Sequence, residues 1–415
     1  MASDSINSTS PGRFLLPLGI GTALSLMGDA TLYVVLPTHT DQAGIVLASV
    51  GILLGANRFI RLVLNGLSGV AFDRGRRRGL FLVALLVGVL STAIYAATRG
   101  FWALLFGRLV WGLAWSGIWV GGTTIILDVS SEQERGRWVG LYQSWFLFGS
   151  SFGALAGGVL TDWLGYGVTM WVATGVSALG LIIATALLPE AHSPRTNPAS
   201  VETSVSHARL WYSHPNLWIA TLVHGLNRLA FAGVLAATVA LLVETHLQGH
   251  SAIIGTATVT GLLLAARSVF SMIAAPLAGT LSDRTGNRWI AVLGGLGMAA
   301  ASMFLVGLPS LTAAMIGILS SAFATGFLQS PVAAITGDVA SGQRRGRAVG
   351  FLQTGGDLGS AIGPPLAYAL LPVIGLSGLY GALGAFFLLN LAGISWLLRS
   401  GLVSVENARF RKPIP

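Results

Sequence analysis

Apolar runs of about 20 or more residues, the length that crosses a bilayer core, recur along the whole chain between short polar and arginine-bearing stretches. They occupy 14–37, 45–72, 79–98, 101–127, 136–160 and 168–188, and then 216–243, 253–282, 289–308, 311–337, 348–372 and 376–398. In hydrocarbon every backbone N–H and C=O must be satisfied within the segment, so runs of this kind read as helices. The pattern predicts an all-α integral membrane protein of twelve transmembrane helices in two pseudo-symmetric six-helix bundles. The bundles cover 14–188 and 216–398, with polar tails at 1–13 and 399–415. Between them, 189–215 is rich in Pro, Ser, Thr, Asn and His and has no apolar period, so it reads as a linker.

Composition narrows the class. The chain is 53% apolar and 9% charged, against about 25% charged in soluble domains, which excludes a soluble globular protein. With no cysteine there is no disulfide, thiolate nucleophile or iron–sulfur cluster. The single lysine, Lys412, lies in the tail, so no phosphate-binding loop of the ATPase type exists here. The pI near 10.7 does not signal nucleic acid, because the basic residues are dispersed through short connections and form no basic domain. Of the 24 basic residues, 18 fall on alternate connections and the tails, one (Arg99) falls on the opposite side, and five lie inside spans. By the positive-inside rule the tails and linker are cytoplasmic, and the expected location is the inner or plasma membrane.

The two halves repeat. At an offset of 210 residues, Asp128–Gly153 and Asp338–Gly363 share 13 of 26 positions, including Gly140 with Gly350 and Gln143 with Gln353. The same offset pairs Gly69, Asp73 and Arg74 with Gly279, Asp283 and Arg284. Gly279-Thr-Leu-Ser-Asp283-Arg284-Thr-Gly286-Asn-Arg288 resembles the loop signature of the major facilitator superfamily. The first-half copy, Gly69-Val-Ala-Phe-Asp73-Arg74-Gly75-Arg76-Arg77-Arg78, is one residue shorter before its glycine. The resemblance covers essentially the whole chain and implies that these residues form a cytoplasmic gating lock. In span five, Gly140, Gly149, Gly153, Gly157 and Gly158 resemble the antiporter motif of the 12-span drug:proton branch, with Ala154 where that motif has proline. Small residues at this spacing also permit close helix approach, so packing is an equal reading. Arg108-Leu-Val-Trp-Gly112 in span four resembles the arginine motif of proton-coupled members.

Ionised groups inside a span cost at least ~2.5–3.5 kcal/mol on insertion scales and are functional candidates by default. Counting ~1.5 Å per residue from the cytoplasmic ends places Asp29 and Arg58 ~22 Å, Arg61 ~18 Å and Arg108 ~20 Å deep; in the second half Arg267 lies ~24 Å, Arg228 ~18 Å and Asp357 ~14 Å deep. His224 and Arg228 stand four apart on one helix face. Arginine does not titrate, so Asp29, Asp357 and His224 are the candidate proton carriers, with Arg108 tuning Asp29. Fixed ion pairs, or for His224 simple packing, are the competing structural readings. Arg58, Arg61, Arg228 and Arg267 are candidates to hold an anionic substrate. Trp111, Trp115 and Trp119, four apart, read as a packed stripe rather than a substrate wall.

Together these features predict a secondary active transporter, not an enzyme, working by alternating access: proton-coupled efflux of a small organic solute, anionic or drug-like. The alternative is uptake or exchange of an organic anion clamped by arginines without proton coupling. Expected partners are the lipid bilayer, a small-molecule substrate and protons, with the protein monomeric and without a cofactor, metal or nucleic acid.

Overall fold

The computed structural model describes residues 11–74, 76–130, 134–190, 214–247, 255–285, 287–339 and 345–401, without the side chains at 73, 135–136, 247, 283, 285 and 345–347. The two tails beyond these limits, most of the linker, Gly286 and the side chains of Asp73 and Asp283 therefore lie outside the described residues. The elements are α1 (Pro11–Val35), a short α2 (Thr40–Ala43), α3 (Leu47–Arg74), α4 (Arg77–Ala97), α5 (Phe101–Val129), α6 (Arg135–Leu187), α7 (Pro215–Asn227), α8 (Ala236–Leu247), α9 (Thr256–Thr285), α10 (Arg288–Val306), α11 (Leu311–Val339) and α12 (Arg345–Arg399). A π-helical segment, Arg228–Leu235, joins α7 to α8 without interruption. Among the described residues there is no strand, and ten helices are long and apolar enough to cross a bilayer.

Two of those ten, α6 at 53 residues and α12 at 55 residues, are more than twice the length a crossing needs. Each contains one glycine with left-handed φ, Gly165 (φ 78°) and Gly375 (φ 64°), 210 positions apart like the rest of the repeat. Only glycine adopts that conformation without strain, and the contacts show that the chain turns back there. Before the turn, Gly149, Gly153 and Gly157 meet Ala23, Met27 and Thr31, running parallel to α1. After it, Ser177 bonds Leu24 O (3.4 Å) while Gly180 and Ala184 reach Gly21, running antiparallel. Likewise Gly355, Gly359 and Gly363 climb past Thr221, Gly225 and Gly233, whereas Tyr380 and Phe387 descend past Thr238 and Phe231. The connections expected at 161–167 and 373–375 are thus reduced to a turn at one glycine.

Each half has its own apolar core. Phe14, Phe72, Phe81, Trp111, Trp115 and Tyr142 belong to one, and Phe231, Leu296, Met303, Tyr380 and Phe387 to the other. The tryptophans do form a packed stripe: Trp111, Trp115, Trp119 and Tyr142 stack at centroid spacings of 6.0, 5.8 and 5.8 Å. A third apolar cluster is shared between the halves, joining Leu36, Val50, Leu53 and Tyr166 to Ala237, Leu241, Ala257 and Tyr368. It lies at the end of the bundle away from Pro11.

The seam between the halves closes at that end and parts towards the other. Backbone meets backbone where Gly51 and Gly55 face Ala361, Pro364 and Pro365, and where Gly158 and Gly261 face Ala257 and Ala154. Asp162 accepts the Thr258 (2.7 Å) and Ala257 (3.4 Å) N–H groups, so one half caps the first turn of α9 in the other. Following α3 down against α12, the contacts pass from residue 55 with 361 to residues 58 with 360 and 61 and 65 with 357. Below them Gly66, Gly69 and Gly350 meet no atom within 4 Å of where a Cβ would stand.

Candidate functional site

The charged side chains of the spans gather where the seam begins to part. Asp29 (α1) pairs with the Arg108 (α5) Nη1. Arg108 is 1% exposed and its remaining donors are also used: Nε to Leu53 O (2.9 Å), and Nη2 to Leu54 O (3.3 Å) and Tyr33 Oη (3.4 Å). A buried guanidinium is tolerated because every fork has an acceptor. Asp29 is 17% exposed, so the carboxylate is the more open partner. Tyr33, one turn along α1, donates to Leu54 O (2.9 Å).

Arg58 extends from α3 into the other half. Its Nη1 donates to Ala232 O (2.6 Å) and Ser360 O (2.8 Å), and its guanidinium lies 5.3 Å from the Tyr33 ring centroid. Ala232 lies in the π-helical segment, where the changed ladder spaces the carbonyls differently from an α-helix. One turn further along α3, Arg61 pairs across the seam with Asp357 of α12 (3.3 Å), which Arg228 also approaches (4.0 Å). Asn65 Nδ2 donates to the second Asp357 oxygen (3.5 Å) and its own carbonyl accepts from Ser116 (2.5 Å). Arg267 (α9) donates to two hydroxyls, Ser321 Oγ (2.8 Å) and Thr325 Oγ1 (3.0 Å), beside the Phe231 ring. Arg58, Arg61, Arg228 and Arg267 lie within electrostatic reach of one another in sequence around the seam.

The five arginines and two aspartates singled out from the sequence are therefore brought together, with one rearrangement. The first-half Arg61 takes the second-half Asp357 as its partner, while Arg58 engages carbonyls rather than a carboxylate. His224 is 2% exposed and pressed, with Arg228, against Gly356. Neither ring nitrogen has a hydrogen-bond partner among the described residues. Tyr33, Asn65, Ser116, Ser321, Thr325 and the carbonyls of the π-helical segment were not singled out from sequence. Only Tyr33 carried a signal, lying four residues after Asp29 on the same face.

The residues expected to form a gating lock lie at the open end. Arg74 and Arg284 are exposed, Gly69 has no neighbour, and Gly279 faces Ser330. The described ion pairs here are within each half: Arg77 with Asp128, and Arg288 with Asp338 (2.8 Å). Asp128 and Asp338 are equivalent in the repeat, so the first-half signature, one residue shorter, uses Arg77 where the second uses Arg288. In the antiporter-like motif, Gly149, Gly153 and Gly157 pack on α1 and Gly158 on α9, whereas Gly140 meets nothing.

Comparison with known proteins agrees with this architecture. The family model of the Major Facilitator Superfamily matches residues 18–255 and 217–413. The uncharacterised transporter YhcA of Bacillus subtilis is 22% identical over 334 residues, 69% of this chain and 62% of its own length. Citrate exporter 1 of Aspergillus niger is 26% identical over 161 residues, 37% of this chain and 30% of its own. The chain thus spans less than two thirds of these relatives. Among solved structures, a bacterial homologue of the human lysosomal transporter Spinster, inward-facing and unoccupied, superposes with a TM-score of 0.76 at 17% identity, covering 96% of this chain and 98% of that one. The chain belongs to the Major Facilitator Superfamily, and ten of its described helices are long and apolar enough to cross a membrane.

Proposed function

We propose that this transporter exports a small organic anion in exchange for protons, by alternating access between its two bundles. Twelve passes follow if the reversed helices α6 and α12 are each counted twice, and both tails then lie on the cytoplasmic side of an inner or plasma membrane. In that orientation the seam is parted towards the cytoplasm. The observation that carries the reading is the charge balance of the central layer. Asp29 is taken by Arg108, Asp357 is shared by Arg61 and Arg228, and Arg58 and Arg267 bond only neutral oxygens. Five arginines against two carboxylates leave three positive charges in excess, which favours a carboxylated or otherwise anionic solute over a lipophilic cation. The export direction is supported by the exporter among the relatives.

Asp29 is the preferred proton carrier, since it is the more open member of its pair, and Arg108 sets its affinity for the proton. Asp357 and His224 are secondary candidates. The monomer carries the whole site. The test is reconstitution in proteoliposomes with an inward-directed pH gradient, followed by a radiolabelled panel of carboxylates beginning with citrate and a lipophilic cation. We expect saturable, gradient-driven movement of at least one carboxylate and none of the cation. Arg267→Gln should raise the KM for that carboxylate by about tenfold or more, as expected when a charged hydrogen bond to an anion is lost. Anion exchange indifferent to the pH gradient would select the arginine-clamp alternative, and cation transport would reject the anionic assignment.

A further inference from the structure

Tyr33 occupies a position that the proton-carrying pair alone does not explain. Its ring has the Arg108 guanidinium 5.5 Å from its centroid and the Arg58 guanidinium at 5.3 Å, contacts in the range where a cation is attracted to an aromatic face. Arg108 is held by Asp29 in the same half; Arg58 is held by Ala232 O and Ser360 O in the other. One ring therefore joins a titratable pair to the bonds that pin the halves together.

We propose that Tyr33 is a positioning residue that transmits the ionisation of Asp29 to Arg58, and that Arg58 on Ala232 and Ser360 is the latch holding the closed end of the seam. This rests on the proton-coupling reading above. With Asp29 ionised, the Arg108 charge is compensated and Arg58 keeps its place against the ring and the two carbonyls. Protonation removes that compensation, so Arg58 faces an unbalanced cation across the ring and its hold on neutral acceptors weakens. An anion arriving beside Arg58 weakens it too, by offering a charged acceptor in place of the carbonyls. Either a proton or a substrate then frees the seam, while the empty, deprotonated carrier stays latched. That is the condition for obligatory exchange.

The other titratable or charged groups around Asp29 are Tyr95 on α4 and Arg61 on α3, while Arg228 and Asp357 across the seam stand around Arg58 and Arg61. None of them bridges the pair to Arg58 as Tyr33 does. The chain has no cysteine, so spin labels can be placed at Val46→Cys (70% exposed) and Val373→Cys (78% exposed), one in each half at the closed end. The distance between them is read in lipid nanodiscs in acidic and in alkaline buffer.

We expect the parent to show a longer distance in acid and a shorter one in base. Arg58→Gln should give the longer distance in both, and in proteoliposomes it should leak protons without substrate. Tyr33→Leu should abolish the pH-dependent shift, and Tyr33→Phe, which keeps the ring, should retain it. A full shift in Tyr33→Leu alongside its loss in Asp29→Asn overturns the relay and leaves the proton assignment standing. Loss of the shift in Tyr33→Phe also overturns it, by assigning the effect to the hydroxyl bond with Leu54. An unaltered shift in Asp29→Asn overturns the underlying reading instead.

Discussion

Asp29→Asn should yield a folded transporter in which gradient-driven flux falls by about 100-fold or more, the scale on which loss of an essential proton-transfer group is felt. Substrate exchange at equal pH should persist. The amide has the shape of the carboxylate and still offers Arg108 an acceptor oxygen, so the bonds from Arg108 to Leu53, Leu54 and Tyr33 survive. What it cannot do is bind and release a proton. Arg108→Ala is a different lesion. It strands a carboxylate in the interior, and breaking a buried pair from one side costs about 3–5 kcal/mol. We expect poor yield and a depressed melting transition from that variant. The contrast between the two, measured by flux and by thermal unfolding in the same detergent, separates the coupling role of the pair from its structural role. Equal loss of stability in both would mean the pair is a fixed strut.

The second large effect concerns glycines that look alike in sequence. Gly363 of α12 crosses Gly233 so closely that a Cβ at 363 would stand 2.6 Å from Gly233 Cα and 2.7 Å from Leu229 O. Both obstacles are backbone and cannot rotate away. Gly363→Ala should therefore destabilise the second bundle by about 1–3 kcal/mol, the usual range for overpacking, and Gly363→Leu should prevent assembly. Gly140→Ala and Gly350→Ala, where nothing lies within 4 Å, should leave the melting temperature unchanged or slightly raised through helix propensity. Thermal melts of the three alanine variants decide the matter. A melting temperature for Gly363→Ala equal to that of Gly350→Ala would show that the motif's small residues are not there for packing.

Much of this architecture is legible in the chain because lipid imposes a simple rule, that backbone polar groups are satisfied within each helix. Hydropathy gave the spans and the 210-residue repeat gave the two bundles. The same repeat explains why Gly165 and Gly375 perform the same turn, although the tightness of that turn was invisible without coordinates, since runs of small apolar residues on both sides do not announce where a helix reverses. The site was legible in its residue types but not in its pairings. Depth placed Asp29 in one layer with Arg58, Arg61 and Arg108, and the resemblance of Arg108-Leu-Val-Trp-Gly112 to the family's arginine motif pointed to Arg108 as the partner the structure gives it. The pairing of Arg61 with Asp357 was not legible, because depth estimates rank residues along their own spans and say nothing of which spans abut across the seam. The charged layer also ignores the repeat: positions 210 away from Asp29, Arg58 and Arg108 hold Val239, Ser268 and Ile318. The duplication built a symmetric scaffold, and the chemistry was placed on it asymmetrically.

The missed elements have physical reasons too. Arg228–Leu235 is apolar with a helical period, and nothing in such a pattern distinguishes an α from a π ladder, yet this segment supplies the carbonyl that Arg58 reaches across the seam. In the loop signature, the missing residue puts Arg77 in the place that Arg288 holds in the second copy, an equivalence that only its pairing with Asp128 reveals.

The account depends on the charged layer bordering a water-filled passage that is open at one end of the bundle and sealed at the other. Asn65 stands in that layer, 3.5 Å from Asp357, and the chain contains no native thiol. A single Asn65→Cys in membrane vesicles of known sidedness, challenged with a membrane-impermeant thiol reagent, measures the passage directly. Labelling at least about tenfold faster from the side that carries the tails than from the opposite side is the expected result, since a charged, impermeant reagent cannot enter hydrocarbon and reaches the thiol only through water. No labelling from either side, or equal labelling from both, would contradict it.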